Sequence, residues 1–361
     1  LSAARRQSAR RALLAWFSRA ARDLPWRRTK DPYAIWISEV MLQQTRVETV
    51  LRYYGRFLER FPTVGALASA DEEDVLACWS GLGYYRRARL LHAGAKAVAA
   101  GHAGEVPREA AARRALPGVG RYTAGAIGSI AFGLREPIVD GNVARVLSRI
   151  GEIEHALGTS ESERALWAEA EGWADHPDPG AVNQALMELG ATVCTPVAPR
   201  CEECPVRSFC GARASARADA LPVPRARKAP RAVSVVSLVA RDREGRALLV
   251  RRGEDVDAAS ALFSGALFSS SLFAGLWSVP MSEGEGRGAA RGLADAVGAT
   301  LLPGEPRALV HVLTHRRLEV RVFEGRLAQA PRGGKLVTAE ALETLGIAAL
   351  TKKVLGLDGR G

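Results

Sequence analysis

The feature that most constrains this chain is a set of four cysteines, Cys194-x6-Cys201-x2-Cys204-x5-Cys210, placed directly after the helix-like stretch AVNQALMELGATVC. Nothing marks the chain for export, since the N-terminal LSAARRQSARRALLAWF lacks the uninterrupted apolar region of a signal peptide. Disulfides belong to oxidising compartments, so the four thiols read instead as one closed S4 metal site. Spacing alone admits tetrahedral zinc or a [4Fe–4S] cluster. With four protein ligands no position is left open for a substrate, and the site has no need to be catalytic. The fifth cysteine, Cys78, lies in the apolar stretch VLACWSGLGYY and reads as a small core residue.

Around this site the chain falls into two halves. From Ala9 to about Arg213 apolar residues recur at helical spacing, interrupted at Pro25, Pro32, Pro62, Pro107, Pro117, Pro137 and Pro177, which predicts an all-α half. The basic, proline-bearing LPVPRARKAPRA, residues 221–232, has no periodicity and reads as a linker. Beyond it, VSVVSLVARDREGRALLVRR and RALVHVLTHRRLEVRVFEGRL each read as a pair of strands, so the second half is α+β. A near-repeat, ALFSGALFSSSLF at 261–273, reads as a loop insertion. The net charge of +11 points to a polyanionic partner. Its distribution is uneven: the first thirty residues carry nine basic side chains against Asp23, and residues 205–232 carry seven against Asp219. No apolar run reaches the length of a bilayer span, and a cytosolic location without membrane contact is expected.

Two further constellations carry chemistry. In LPGVGRYTAGAIGSIAFG, residues 116–133, Gly118 and Gly120 separate two helical stretches. Glycines there let amide groups converge beside a helix N-terminus, an anion site suited to a DNA phosphate; the plainer reading is a structural helix–helix turn. Glu39, in WISEVMLQQT, has Ile35, Trp36, Val40 and Leu42 around it at helical spacing. Its carboxyl is expected to titrate high and to act as an acid, while Asp140, in PIVDGNVARV near a helix start, stays ionised. The alternative is a solvated Glu39 and an Asp140 that only caps its helix.

Taken together and in this order, the segments LPWRRTKDPYAIWISEVMLQQTRVETV, FPTVGALA, GLGYYRRARLLH, LPGVGRYTAGAI, PIVDGNVARVLSR and NQALMELGATVC, with the cysteine set, resemble the helix–hairpin–helix glycosylase superfamily with an iron–sulfur cluster. Within it they resemble the A/G-specific adenine glycosylases, the MutY type. The resemblance implies an all-α helix–hairpin–helix glycosylase domain over 1–220, with a six-helix barrel at about 28–135 and a cluster domain formed by 1–27 and 136–220. It makes the metal a [4Fe–4S] cluster on Cys194, Cys201, Cys204 and Cys210. A smaller α+β Nudix-like domain would cover 233–353, on the strength of LFAGLWSVP and the HVLTH segment.

The same resemblance assigns roles. Glu39 matches the acid that protonates the base, Asp140 the carboxylate that faces the sugar cation, and Asn142 its neighbour. Tyr122 stands where bifunctional relatives carry a Schiff-base lysine, which implies a monofunctional enzyme. Gln44 and Tyr84 match residues that enter the DNA stack, Gln184 an adenine contact, and Arg27, Leu42, Gly118 and Gly120 further substrate or DNA contacts. In the second half GEGRGAARGLADAVGA lacks the glutamates that Nudix hydrolysis needs, and Leu313-Thr314-His315 replaces a Phe-Ser-His loop that reads 8-oxoguanine, leaving Thr314 and His315 for that task. The implied partner is duplex DNA with A:8-oxoguanine or A:G mispairs, bound by a monomer, nucleoid-associated in a bacterium. The rivals are a thymine-mismatch or oxidised-pyrimidine glycosylase and a catalytically silent cluster protein.

Overall fold

The computed structural model describes residues 2–225, 230–251, 276–313, 315–331 and 333–357; the near-repeat at 261–273 and Thr314 lie outside them. The chain divides into two units, Leu1–Val75 with Tyr84–Ala226, and Arg227–Gly361 with the short stretch Leu76–Gly83.

Among the described residues up to 225 every regular element is helical, as the spacing predicts. The α-helices are α1 (Ala3–Ala20), α2 (Pro32–Leu42), α3 (Val47–Arg60), α4 (Val64–Ser69), α5 (Glu72–Cys78), α6 (Arg86–Gly101), α7 (Ala110–Ala115), α8 (Arg121–Ile130), α9 (Gly141–Gly151), α10 (Ser160–Ala174), α11 (Pro179–Thr192) and α12 (Gly211–Ala214). Cys78, expected in the core, is only half-buried at the end of α5.

Apart from Ser38 and Glu39, helix α2 carries no strongly polar side chain on any face, and a helix of that kind is driven inside. Every residue from Tyr33 to Met41 is buried. Its start is set by Asp31, whose carboxylate accepts from the amides of Tyr33 and Ala34 at 3.1 and 3.2 Å, with Pro32 in the first turn. Helix α8 packs against α2 and α11 and is buried from Thr123 to Ile130. Its small residues permit this close approach, and Trp36, Phe57, Phe61 and Trp173 fill the remaining interior.

The turn before α8 needs glycine at position 118 for two reasons. Its φ of +76° lies in the left-handed region, and a Cβ there would stand 2.7 Å from Leu90 Cβ.

In the second unit both expected strand pairs form. β1 (Arg231–Arg241) and β2 (Ala247–Arg251) meet at Arg241↔Ala247, and β6 (Arg307–Val312) returns into β7 (Arg316–Leu327) at Val312↔Arg317. The short strands β3 (Trp277–Ser278), β4 (Met281–Glu283), β5 (Ala299–Leu301) and β8 (Gly334–Val337) complete an eight-stranded sheet among the described residues. Its organising contact is a parallel pairing of β1 with β7, in register from Arg231↔Arg316 to Arg241↔Arg326. The unbroken buried run Val235–Ala240 suits such a central strand, covered on both faces. Helix α13 (Gly286–Val297) lays Ala290, Leu293, Ala294 and Val297 inward at helical spacing, and Asp295, its one carboxylate, is exposed. Helix α14 (Ala349–Val354) closes the described chain.

Candidate active site

A carboxylate on an otherwise mostly apolar, buried helix loses its hydration with that helix, and this is the position of Glu39, 4% exposed on α2. The packing of α8 on α2 delivers one polar partner: the Tyr122 hydroxyl donates to Glu39 Oε2 at 2.6 Å and lies 3.5 Å from Met187 Sδ. Burial pushes the Glu39 carboxyl up to about 7, with Asp140 raising it further and the Tyr122 hydrogen bond and the Arg27 charge opposing. Tyr122 is itself pushed up by burial and by the two carboxylates, so it remains a neutral donor.

Asp140 caps α9, accepting from the Val143 amide at 2.7 Å, and Asn142 Nδ2 donates to its Oδ2 at 3.4 Å. Burial raises this carboxyl too, but the amides of Val143 and Asn142, the Arg145 charge and the Asn142 side chain all favour its ionised form. Asp140 therefore both caps α9 and lines a cavity. Glu39 has fewer partners for its charge, so the pair's first proton belongs on Glu39.

Glu39, Tyr122, Asp140 and Asn142 line one cavity of about 670 Å³, a size suited to a small organic group. Arg27, Leu42, Gln44, Gly118, Gly120 and Gln184, all expected from the sequence, line it as well. No lysine is among the described residues that line it. Tyr84 does not line it; it is 54% exposed, with the Arg87 guanidinium 5.5 Å from its ring centre. His315 lies in the second unit, exposed, its carbonyl accepting from the Arg231 amide at 3.1 Å.

Sequence reasoning missed Glu188 and Arg22. The Glu188 side chain is fully buried and accepts from Arg22 Nε, Nη2 and backbone N at 2.9, 2.8 and 3.0 Å and from Arg27 Nη2 at 2.7 Å. Burial pushes this carboxyl up, but the hydrogen bonds from Arg22 and Arg27 outweigh it and hold it at about 2. Arg27 is thus engaged with protein at the cavity wall. The signal for Glu188 was present: it is the only charged residue of α11, the same criterion that singles out Glu39.

The four expected ligand cysteines share a second hollow, lined also by Arg149, Arg207 and Arg213. Arg149 Nη1 donates to Cys194 Sγ at 3.3 Å, and the Cys210 thiol donates to the Arg149 carbonyl at 3.4 Å. Burial pushes the Cys204 thiol up to about 12, so metal coordination is what would ionise it. Each iron of a cubane takes one thiolate, which requires sulfurs around a hollow rather than converging on one ion. The donor set fits a cluster, supplied with nearby cationic charge.

Residues 37–171 match the HhH-GPD superfamily base excision DNA repair proteins, and residues 194–210 match the iron–sulfur binding domain of endonuclease III. The cofactor of the cysteine loop is accordingly a [4Fe–4S] cluster. A human adenine DNA glycosylase is 50% identical over 213 residues, covering 56% of this chain and 39% of that protein. The adenine DNA glycosylase of Buchnera aphidicola subsp. Acyrthosiphon pisum is 37% identical over 217 residues, covering 60% and 62%. This chain therefore spans less than two thirds of either relative. Among solved structures, a thermostable thymine-DNA glycosylase superposes with a TM-score of 0.52 at 30% identity, covering 58% of this chain and 97% of that one. The chain belongs to the HhH-GPD superfamily of base excision DNA repair proteins.

Proposed function

We propose that the chain is a monofunctional DNA glycosylase that hydrolyses the N-glycosidic bond of adenine mispaired with 8-oxoguanine or guanine in duplex DNA, starting base excision repair. The observation that carries this reading is the buried Glu39, held as an acid near neutrality in a cavity shared with Asp140. A stacked adenine cannot reach it, so the base is flipped into the cavity. Glu39 gives its proton to adenine N7, the C1′–N9 bond breaks with its electron pair leaving on the base, and Asp140 faces the sugar cation. Water then adds at C1′, and Glu39 takes up its proton. Asn142 holds Asp140, Tyr122 holds Glu39, Gln184 contacts the adenine, and Gln44, Leu42 and Tyr84 meet the duplex near the opposite purine. Amides at the Gly118–Gly120 turn take a DNA phosphate.

The opposite purine is read by the domain after the 221–232 linker, through Thr314 and His315, whose acceptors distinguish an N7–H from a bare N7. The protein acts as a monomer, cytoplasmic and nucleoid-associated; no helix among the described residues is long and apolar enough to cross a membrane. The test is a panel of duplexes carrying A:8-oxoguanine, A:G, T:G and oxidised pyrimidines. Strand breaks at adenine, and only after alkali, are expected. Release of thymine from T:G instead of adenine would replace this reading with the activity named for the structural relative.

Tyr122→Lys puts an amine in a cavity that has no lysine among the described residues that line it, and borohydride is expected to trap an imine with abasic DNA that the parent does not form. Protein purified without oxygen is expected to carry about four irons per chain. Cys204→Ser should lose that iron and melt earlier; active protein holding stoichiometric zinc would contradict the cluster.

A further inference from the structure

Arg87, on the first turn of α6, takes no part in the chemistry above, yet its guanidinium gathers one end of the Glu39 helix. Nη1 donates to the carbonyls of Val40 and Met41, each at 2.9 Å, and to that of Gln43; Nη2 donates to Thr45 Oγ1 at 3.0 Å. The last carbonyls of a helix have no partner within it, so one cation here closes the end of α2 and the loop that follows. The same guanidinium lies 5.5 Å over the Tyr84 ring.

Two residues flanked by these contacts hold an unusual backbone. Gln44 has φ +60° and Tyr84 has φ +49°. Side-chain-bearing residues persist in the left-handed region only where their surroundings hold them there. For Gln44 the surroundings are Gln43 and Thr45, both bonded to Arg87; for Tyr84 they include the stacked guanidinium. Burial lowers Arg87 to about 10, which leaves it charged near neutrality.

We infer that Arg87 is a positioning residue that sets Gln44 and Tyr84 at one spacing for insertion into the duplex beside the mispair. The inference rests on the proposed assignment of those two side chains to the DNA stack. A planar fork is needed, because several acceptors are met by its edge while its face meets the ring; a lysine ammonium is a point donor that cannot span those acceptors and stack on the ring together.

The test is a binding cycle with the full chain carrying Glu39→Gln, so that the duplex is not consumed. Arg87→Lys is expected to raise the Kd for an A:8-oxoguanine duplex about tenfold and that for a matched duplex less than about threefold, because matched binding rests on phosphate contacts. In a background of Gln44→Ala with Tyr84→Ala, the same change is expected to alter the mispair Kd less than about twofold, as for residues acting through one another. Equal weakening in both backgrounds, or an unchanged Kd in the first, overturns the inference. Should Arg87→Lys melt early, Thr45→Val removes one acceptor and keeps the arginine, and the same background dependence is expected at smaller size. The cycle needs no excision: a chain that releases no adenine but shows this dependence overturns the reaction and not the positioning.

Discussion

Replacing Glu39 with glutamine is expected to slow adenine excision by about 10²–10⁴-fold, the usual contribution of a positioned general acid, while the duplex still binds. Glutamine keeps the shape and can still meet the Tyr122 hydroxyl, but it has no acidic proton. The same change should stabilise the fold. The folded protein holds the Glu39 proton up to about pH 7, whereas an ordinary glutamate releases it near 4.5. Stability falls as pH rises across that interval and levels off above it, at a cost on the order of 3 kcal/mol. Glutamine avoids that cost, so the variant should melt above the parent at about pH 8 and the gap should close toward pH 4.5, a stability–activity conflict of the kind common at catalytic groups. Excision within tenfold of the parent would mean that another group protonates the base.

Glu188→Ala is expected to have the largest effect on stability. It leaves Arg22 and Arg27 facing each other without their shared carboxylate, and breaking a buried pair from one side costs about 3–5 kcal/mol. The Arg22 side chain is 36% exposed and Arg27 14% exposed. Solvent recovers part of the loss at Arg22, so about 3 kcal/mol is expected from denaturant unfolding. The parent draws this stabilisation at pH values above the ordinary 4.5 of a glutamate and loses it as pH falls toward about 2. An unchanged unfolding midpoint would contradict the account. The variant also frees the charge of Arg27 to act on Glu39, which should lower that carboxyl's pKa and move the fall in activity to lower pH.

The helical half was legible in the sequence because its signals are local. The cysteine spacing, the glycine at 118 and the apolar neighbours of Glu39 each lie within a few turns of the residue they explain. Glu188 and Arg22 were not legible as a pair, since they meet across 166 residues and only the fold brings them together. Arg87 is similar: its partners at 40–45 lie more than forty residues away, and an arginine following GLGYY carries no mark of what it caps. In the second unit both hairpins could be read from turn and strand residues. The parallel pairing of β1 with β7, which joins those hairpins into one sheet, could not, because such a pairing depends on a crossover rather than on a turn. Asp140 shows the limit of reading charge from a helix start, since the cap that stood as the alternative reading is present and burial raises a carboxyl expected to stay ionised.

In the proposed reaction a buried, protonated Glu39 is the acid that drives base release. That role is checked by the single-turnover rate of adenine excision from an A:8-oxoguanine duplex, measured across about pH 5.5 to 9 with duplex saturating. The active form is the protonated one, and its folded pKa is about 7. The rate is therefore expected to hold level on the acid side and to fall toward tenfold per pH unit above that value, with the fall absent in Glu39→Gln. A rate that is flat or rises through pH 7 in the parent, or the same falling profile in Glu39→Gln, would contradict it.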